Sequence, residues 1–505
     1  MKIKSWILLL AALAGLARVA LALGGGQFFL GDESRYLRGV QLYLAVRDGR
    51  SDEVQWFLSQ PDHQVFTWLA ALLAPVQHAL AGLAGRGDWS VPANITASAP
   101  GGAALLALGS AALVPVLFFL ARAAGASDAA AGWAALLAAG SNTLFYMVRH
   151  LLPYDAAMLA WLLALWASCG SRPRQAVLAG VLAAASFYIY NGYWYLVPVA
   201  ALWHASRRRD RRSQVLWLAG AAGTVLVTAA VGYLAGGIYY WRFLVFFSGT
   251  VRQGLFAEGW SLPWEYLWHS EGWAGPALLV LVGGACLGRR RQVPGYVGAA
   301  LAGLVLCYGA LVAGSTMFHR FVVYGRSVRP LLPLFCLAAG WAMTEVLARR
   351  PVLHRLAIVV VASLAVFAQA GHFGRIFPAD VQTQVRARWG RPKICATYSG
   401  LMFQPGREPV TRPDLALVNA DGLYPLRDFI GAPAGRILGR WPNPLDYRPY
   451  QYEGYTPRER ALLRAHDNSI RLIALADPAA VPDAPPRSQH MAADETPDGY
   501  DHGRR

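Results

Sequence analysis

The chain has 505 residues, of which 55% are apolar and 15% charged, with a mean hydropathy of +0.33. It is too apolar for a soluble multidomain protein of this length, and the composition marks a polytopic membrane protein. The formal net charge of +17 does not indicate nucleic acid, because the arginines stand in short clusters between apolar runs, the pattern of loops retained in the cytoplasm.

In chain order, Lys2 and Lys4 open a first apolar run, Trp6 to Leu23. Its basic start and small-residue end, Ala20-Leu21-Ala22, resemble a secretory signal, yet the many later spans favour an uncleaved first helix, with Arg18 snorkelling toward the headgroups. A spanning helix needs about 20 apolar residues. Runs of that kind lie near 5–24, 101–121, 129–147, 154–170, 175–191, 193–206, 214–236, 273–288, 294–314, 330–348 and 355–371. The expected fold is therefore an all-α polytopic membrane protein of about eleven transmembrane helices.

With the N terminus inside, Lys2, Lys4, Arg122, Arg172, Arg174, Arg207 to Arg209, Arg211, Arg212, Arg289 to Arg291, Arg349, Arg350 and Arg355 all fall in the cytoplasm. That is the positive-inside bias. If the apolar stretch Val65 to Leu83 also crossed, every later basic cluster would move outside. It is read instead as a juxtamembrane helix on the outer surface, within a first outer loop over residues 24–100. The expected location is a bacterial inner membrane, with the C-terminal domain extracytoplasmic.

From about His372 the composition changes. Short β-like runs at 393–398, 415–418 and 470–475, with a helix-like run at 457–465, predict a small α/β domain over 372–476. Residues 477–505 are rich in Pro, Asp, Ala and Arg and are expected to be disordered. The membrane part is then residues 1–371. Four of the five cysteines, Cys169, Cys286, Cys307 and Cys336, lie in apolar runs and only Cys395 in a polar one, so there is no disulfide framework or Cys-x-x-Cys pair.

The candidate functional residues gather at outer helix ends. Asp32-Glu33 follows the first span directly and precedes Arg35, Tyr36 and Arg38. A carboxylate so close to hydrocarbon needs a partner or a water-filled cavity, and usually marks chemistry or transport. Tyr146 to Asp155 brings Arg149, His150 and Asp155 to the membrane together. Pro153 suits the first turn of the next helix, where the dipole also favours a carboxylate, so Asp155 reads equally as a helix cap. His150 reads equally as an interfacial aromatic.

His319, Arg320, Tyr324, Arg326 and Arg329 put basic charge on the outer side, against the positive-inside bias. Arginine binds phosphate bidentately, which suggests a lipid phosphate, with anchoring to anionic membrane lipids as the alternative. The run Phe187 to Tyr195 is an aromatic belt or, through Tyr190 and Asn191, a wall for a sugar or prenyl chain. His63, in Gln60-Pro61-Asp62-His63, is a further contact candidate. No Walker loop, dinucleotide fingerprint, Ser-His-Asp order or His-Glu-x-x-His motif is present.

The Asp-Glu pair after the first span, the long outer loop with surface helices, the basic and aromatic segment to Pro333 before a late span, and the outer C-terminal domain together resemble the GT-C superfamily of membrane glycosyltransferases. The likeness is greatest to the branch of protein O-mannosyltransferases and lipid A aminoarabinose transferases. It implies inverting transfer of a sugar from a polyprenyl-phosphate donor to a lipid, glycan or protein acceptor. Asp32 would be the general base, and Glu33 would orient the acceptor or neighbouring groups. Arg320, Arg326 or Arg149 would balance the departing phosphate. A divalent cation, Mg²⁺ or Mn²⁺, is left open, with Asp32, Glu33 and Asp155 as its candidate ligands. A transporter or lipid flippase, or a non-catalytic envelope-assembly subunit, are the alternatives from other classes.

Overall fold

The computed structural model describes residues 3–23, 33–60, 62–90, 92–236, 258–289, 292–319, 323–347, 350–376, 385, 388–390, 392–394, 412–418, 434–443, 446–453, 455–465, 467 and 469–477. Asp32, Arg320, Cys395 and the expected tail beyond Asp477 lie outside the described residues. From the N terminus come α1 (Ile3–Leu23), α2 (Ser34–Arg47), α3 (Ser51–Ser59), α4 (Gln64–Leu83), α5 (Pro92–Ala97), α6 (Ala99–Ala123) and α7 (Asp128–Gly140). They are followed by α8 (Tyr154–Ser168), α9 (Pro173–Ile189), α10 (Leu196–Arg207) and α11 (Arg211–Leu234). Then come α12 (Leu262–Glu271), α13 (Ala274–Gly288), α14 (Gly295–Leu311) with a π-helical turn at Val312–Met317, α15 (Gly325–Val328), α16 (Leu331–Leu347) and α17 (Pro351–Ile376).

Among the described residues, seven helices are long and apolar enough to cross a membrane: α1, α4, α6, α11, α14 with its π turn, α15 running into α16, and α17. Helices α12 and α13 meet at 110° and could together form one further, broken span. Leu8, Leu13 and Leu16 of α1, Leu226 and Val227 of α11, and Val359 and Phe367 of α17 are exposed. Apolar faces of that extent need hydrocarbon against them. The chain is an integral membrane protein.

Several expected spans come out shorter. Helices α7, α8, α9, α10 and α13 run 13, 15, 17, 12 and 15 residues. The stretch Val65 to Leu83 is a helix as expected, although its length and apolarity also suit a crossing. The third expected span, 129–147, ends at Gly140, and residues 141–150 fold as turns. The cause is polar: Ser141 Oγ and the Asn142 and Thr143 amides donate to the Glu271 carboxylate at 2.6, 3.2 and 2.8 Å, giving the backbone an alternative to the helix. Where α9 and α11 cross, Gly180 and Gly220 let the backbones meet. A Cβ at Gly180 would lie 1.9 Å from Trp217 O, and one at Gly220 2.2 Å from Val177 O.

The C-terminal part forms a sheet of β1 (Pro392–Ile394), β2 (Arg412–Val418), β3 (Gly435–Trp441) and β4 (Ile470–Leu475) in the order β1-β2-β4-β3. Only the β1–β2 pair is parallel. Leu415, Leu417, Ile470 and Leu472 form its core. Strand β3, which the alternation of large apolar residues did not predict, carries Gly435, Arg436, Gly439 and Arg440 among its seven residues. Helices α18 (Arg448–Gln451) and α19 (Pro457–Ala465) lie between β3 and β4, and α19 opens on a capping box in which the Thr456 amide donates to Glu459 (2.8 Å) and the Glu459 amide to Thr456 Oγ1 (3.3 Å).

The boundary expected at 371/372 is not clean. Helix α17 runs on to Ile376, and Tyr447, Tyr450, Tyr452, Tyr455 and Leu463 share one buried cluster with the membrane helices.

Candidate functional site

Two charged clusters sit against α2. The first is built on Glu33, the residue preceding α2 and completely buried. Its Oε1 is 2.8 Å from His150 Nδ1, and its Oε2 accepts the Leu151 amide at 2.8 Å. His150 Nε2 lies 3.0 Å from the Tyr450 hydroxyl, which also lies within 3.2 Å of the Tyr146 carbonyl. Residues from the α1–α2 connection, the 141–150 turns and the C-terminal segment thus converge.

Beside it Asp155, in the first turn of α8, pairs with Arg329, which is fully buried. Asp155 thus stands in the first turn, where the helix dipole favours a carboxylate, with Arg329 as its charge partner. Arg18 does not snorkel. It is 2% exposed, donates to Ala14 O at 3.3 Å and stacks its guanidinium 5.5 Å from the Phe145 ring centroid. A charged head inside the bundle can be held by aromatic faces and neighbouring carboxylates rather than by headgroups.

Arg326 is also sealed. It lies over Tyr324 (4.2 Å), bonds the Tyr154 hydroxyl, and donates from Nη2 to Glu453 O (2.8 Å) and from its amide to Glu453 Oε2 (3.1 Å). Glu453 further accepts from the Tyr146 hydroxyl at 2.6 Å. Burial pushes the Glu453 carboxyl above the usual carboxylate range, against the pull of Arg326.

The second cluster surrounds Asp62, in the turn between α3 and α4. Arg35 Nε lies 2.5 Å and Arg38 Nη1 3.9 Å from its carboxylate, and His63 Nδ1 is bonded to it. Burial alone would raise the carboxyl, but Arg35, His63 and Arg38 hold it well below the usual range. His63 has a left-handed backbone at φ 52°, and its amide donates to Asn191 Oδ1 at 3.3 Å. A tyrosine wall links the clusters: the His63 ring is 5.2 Å from Tyr190, which is 4.8 Å from Tyr154, the partner of Arg326.

That wall decides the aromatic run. Tyr188, Tyr190, Tyr193 and Tyr195 are buried, and the Tyr193 and Tyr195 hydroxyls donate to Arg326 O and Ser327 O. They pack inside the protein rather than in an interfacial belt. Tyr36, one turn beyond Glu33, donates to Gln77 Oε1 at 2.8 Å.

Of the residues expected from sequence, Glu33 and His150 meet directly, as do Asp155 with Arg329, and His63 with Asn191 and Tyr190. Arg149 is buried in the same turns. His319 is exposed, with φ 47°. Asp32 and Arg320 are outside the described residues. Among those described, no three His, Cys, Asp or Glu side chains form a metal-ligand set. Glu33 and Asp155 hold different partners, the imidazole of His150 and the guanidinium of Arg329.

Sequence reasoning placed Asp62 and Glu271 only among the acidic residues of the outer side, and it missed Tyr450 and Glu453. The available signal for the last two was the density of Tyr447, Tyr450, Tyr452 and Tyr455 in an otherwise polar tail. Comparison with protein-family models, curated proteins and solved structures finds no match to this chain.

Proposed function

We propose that this protein is a membrane glycosyltransferase that moves a sugar from a polyprenyl-phosphate donor to an acceptor at the outer face of the membrane. The observation that carries the reading is the cluster of Arg35, Arg38 and His63 around the single carboxylate of Asp62, one helical turn beyond Asp32-Glu33. It gathers three side chains of the kind that bind a phosphate, beside the Tyr190 wall.

Arg35 and Arg38 keep 16% and 18% of their side-chain surface exposed, whereas Arg326 and Arg329 keep 7% and none. We therefore assign the donor phosphate to Arg35 and Arg38, which balance charge as its bond to the sugar breaks. The sealed arginines hold the bundle end together. Asp32 takes the acceptor's proton, and Glu33 acts on its neighbours, because both its oxygens are spent on His150 and Leu151.

The orientation is the one that keeps the basic clusters from Lys2 to Arg355 in the cytoplasm. An apolar groove of about 980 Å³ between α1, α4 and α6, with Gln77, Arg86 and Ser98 as its polar members, supports a lipid-linked substrate, since a hydrocarbon chain fits it. The reading is tested by reconstituting the protein in liposomes with a panel of polyprenyl-phosphate pentoses and hexoses and a bacterial envelope extract supplying lipid, glycan and protein acceptors. Release of free polyprenyl phosphate is expected from wild type and not from Asp32→Asn.

A further inference from the structure

His150 can hold Glu33 only if its ring is oriented correctly. A 180° turn of the imidazole would put a C–H group where Nδ1 now meets Glu33 Oε1, so the ring must be held against it. A second constraint comes from the opposite edge. Nε2 lies 3.0 Å from the hydroxyl of Tyr450, 300 residues away, and a turned ring loses that bond as well.

The hydroxyl suits the task because it can donate its one hydrogen and still accept, and it lies between His150 Nε2 and the Tyr146 carbonyl. The Tyr146 carbonyl, at 3.2 Å, can only accept, whereas Nε2 can accept or donate. Tyr450 can thus donate to Nε2 or accept from it while Nδ1 stays on Glu33. The segment presenting Tyr450 is itself tied down. Tyr452 O accepts the Gly325 amide at 2.8 Å, the Tyr452 hydroxyl donates to Glu265 at 3.0 Å, and Arg460 pairs with Glu258.

We propose that Tyr450 is a positioning residue of the site: it fixes the His150 ring, which fixes Glu33 beside Asp32, so that the C-terminal segment completes a site built on the first helices. This rests on the reading that transfer takes place at the Asp32-Glu33 end of α2, but the geometry can be tested apart from it.

The direct experiment is magic-angle-spinning NMR on the full chain in lipid nanodiscs, with ¹⁵N-histidine and ¹³C-tyrosine. One histidine Nε2 is expected to transfer magnetisation to one tyrosine Cζ, and the cross-peak is expected to vanish in both His150→Gln and Tyr450→Phe. Tyr450→Phe is also expected to shift the His150 nitrogen resonances. Absence of the cross-peak in wild type, or unchanged His150 resonances in folded Tyr450→Phe, overturns the proposal, and the wild-type measurement needs no variant to fold.

With the polyprenyl-phosphate sugar panel, Tyr450→Phe is expected to lower kcat about tenfold at unchanged KM, because misplaced catalytic groups cost turnover rather than binding. Arg458→Gln, on the exposed surface of α19, is expected to alter neither. Equal turnover in wild type and Tyr450→Phe overturns the positioning role. Full activity in Asp32→Asn would instead remove the functional reading while leaving the NMR result standing.

Discussion

Glu33 and His150, 117 positions apart in sequence, are joined at 2.8 Å with both side chains sealed from solvent. The contact ties the entrance of α2 to the turns before α8, two segments that no local pattern would pair. Removing the carboxylate leaves the imidazole and the Leu151 amide without their acceptor. Breaking a buried, hydrogen-bonded pair from one side costs about 3–5 kcal/mol. Glu33→Ala should therefore lower the thermal midpoint in detergent sharply, whereas Glu33→Gln, which keeps an acceptor oxygen, should lower it less. Equal midpoints for wild type and Glu33→Ala would show that the contact contributes nothing.

Asp155 and Arg329 make a second cross-bundle pair, and the prediction there concerns sign. Asp155→Asn strands a fully buried guanidinium and should cost about 3–5 kcal/mol, while removing both charges together is often neutral or stabilising. Asp155→Leu with Arg329→Met should thus be more stable than Asp155→Leu alone, by thermal unfolding. A double variant no better than that single one would deny the coupling.

The Asp62 cluster predicts a pH dependence. Its carboxyl is held below the usual range in the folded protein, so the folded state binds the proton more weakly than the unfolded state. The stabilisation is present above the unfolded value of about 3.9 and drains away as pH falls below it. Thermal midpoints of wild type and Asp62→Asn should differ most near neutral pH and converge as pH drops below about 4. A constant difference across that window would contradict the shift.

Much of this architecture was legible in advance. Most membrane helices lie close to their apolar runs, and α19 occupies the expected 457–465, because long apolar stretches and capping signals are local. The site was legible only as a list. The sequence marked Glu33, His150, Asp155 and Arg329, but not who meets whom, since charge pairing inside a membrane bundle depends on helix order and rotation. Arg18 was misread because snorkelling is the default for a cation near a helix end, and the aromatic face of Phe145 was invisible to spacing. The third expected span was too long because hydropathy averages over Ser141-Asn142-Thr143, whose polar groups are drawn to Glu271. Tyr450 and Glu453 escaped because a tail with its own strands suggested a separate domain, whereas Tyr447, Tyr450, Tyr452 and Tyr455 share a buried cluster with the long helices.

Arg38 gives a kinetic prediction. It stands 3.9 Å from Asp62, while Arg35 lies at 2.5 Å. Arg38→Gln should raise KM for the polyprenyl-phosphate sugar about tenfold, the loss of one charge-assisted contact. An unchanged KM would place the phosphate elsewhere.

The central claim is sugar transfer with Asp32 as base, and the measurement that bears on it most directly is release of polyprenyl phosphate, with the label passing to acceptors of a bacterial envelope extract, from a radiolabelled polyprenyl-phosphate sugar panel in proteoliposomes. Wild-type protein should release it from at least one donor, and Asp32→Asn, with an unchanged thermal midpoint, should fall by about 10²–10⁴-fold, the contribution of a general base. No release by wild type from any donor, or equal release by Asp32→Asn, would contradict the account.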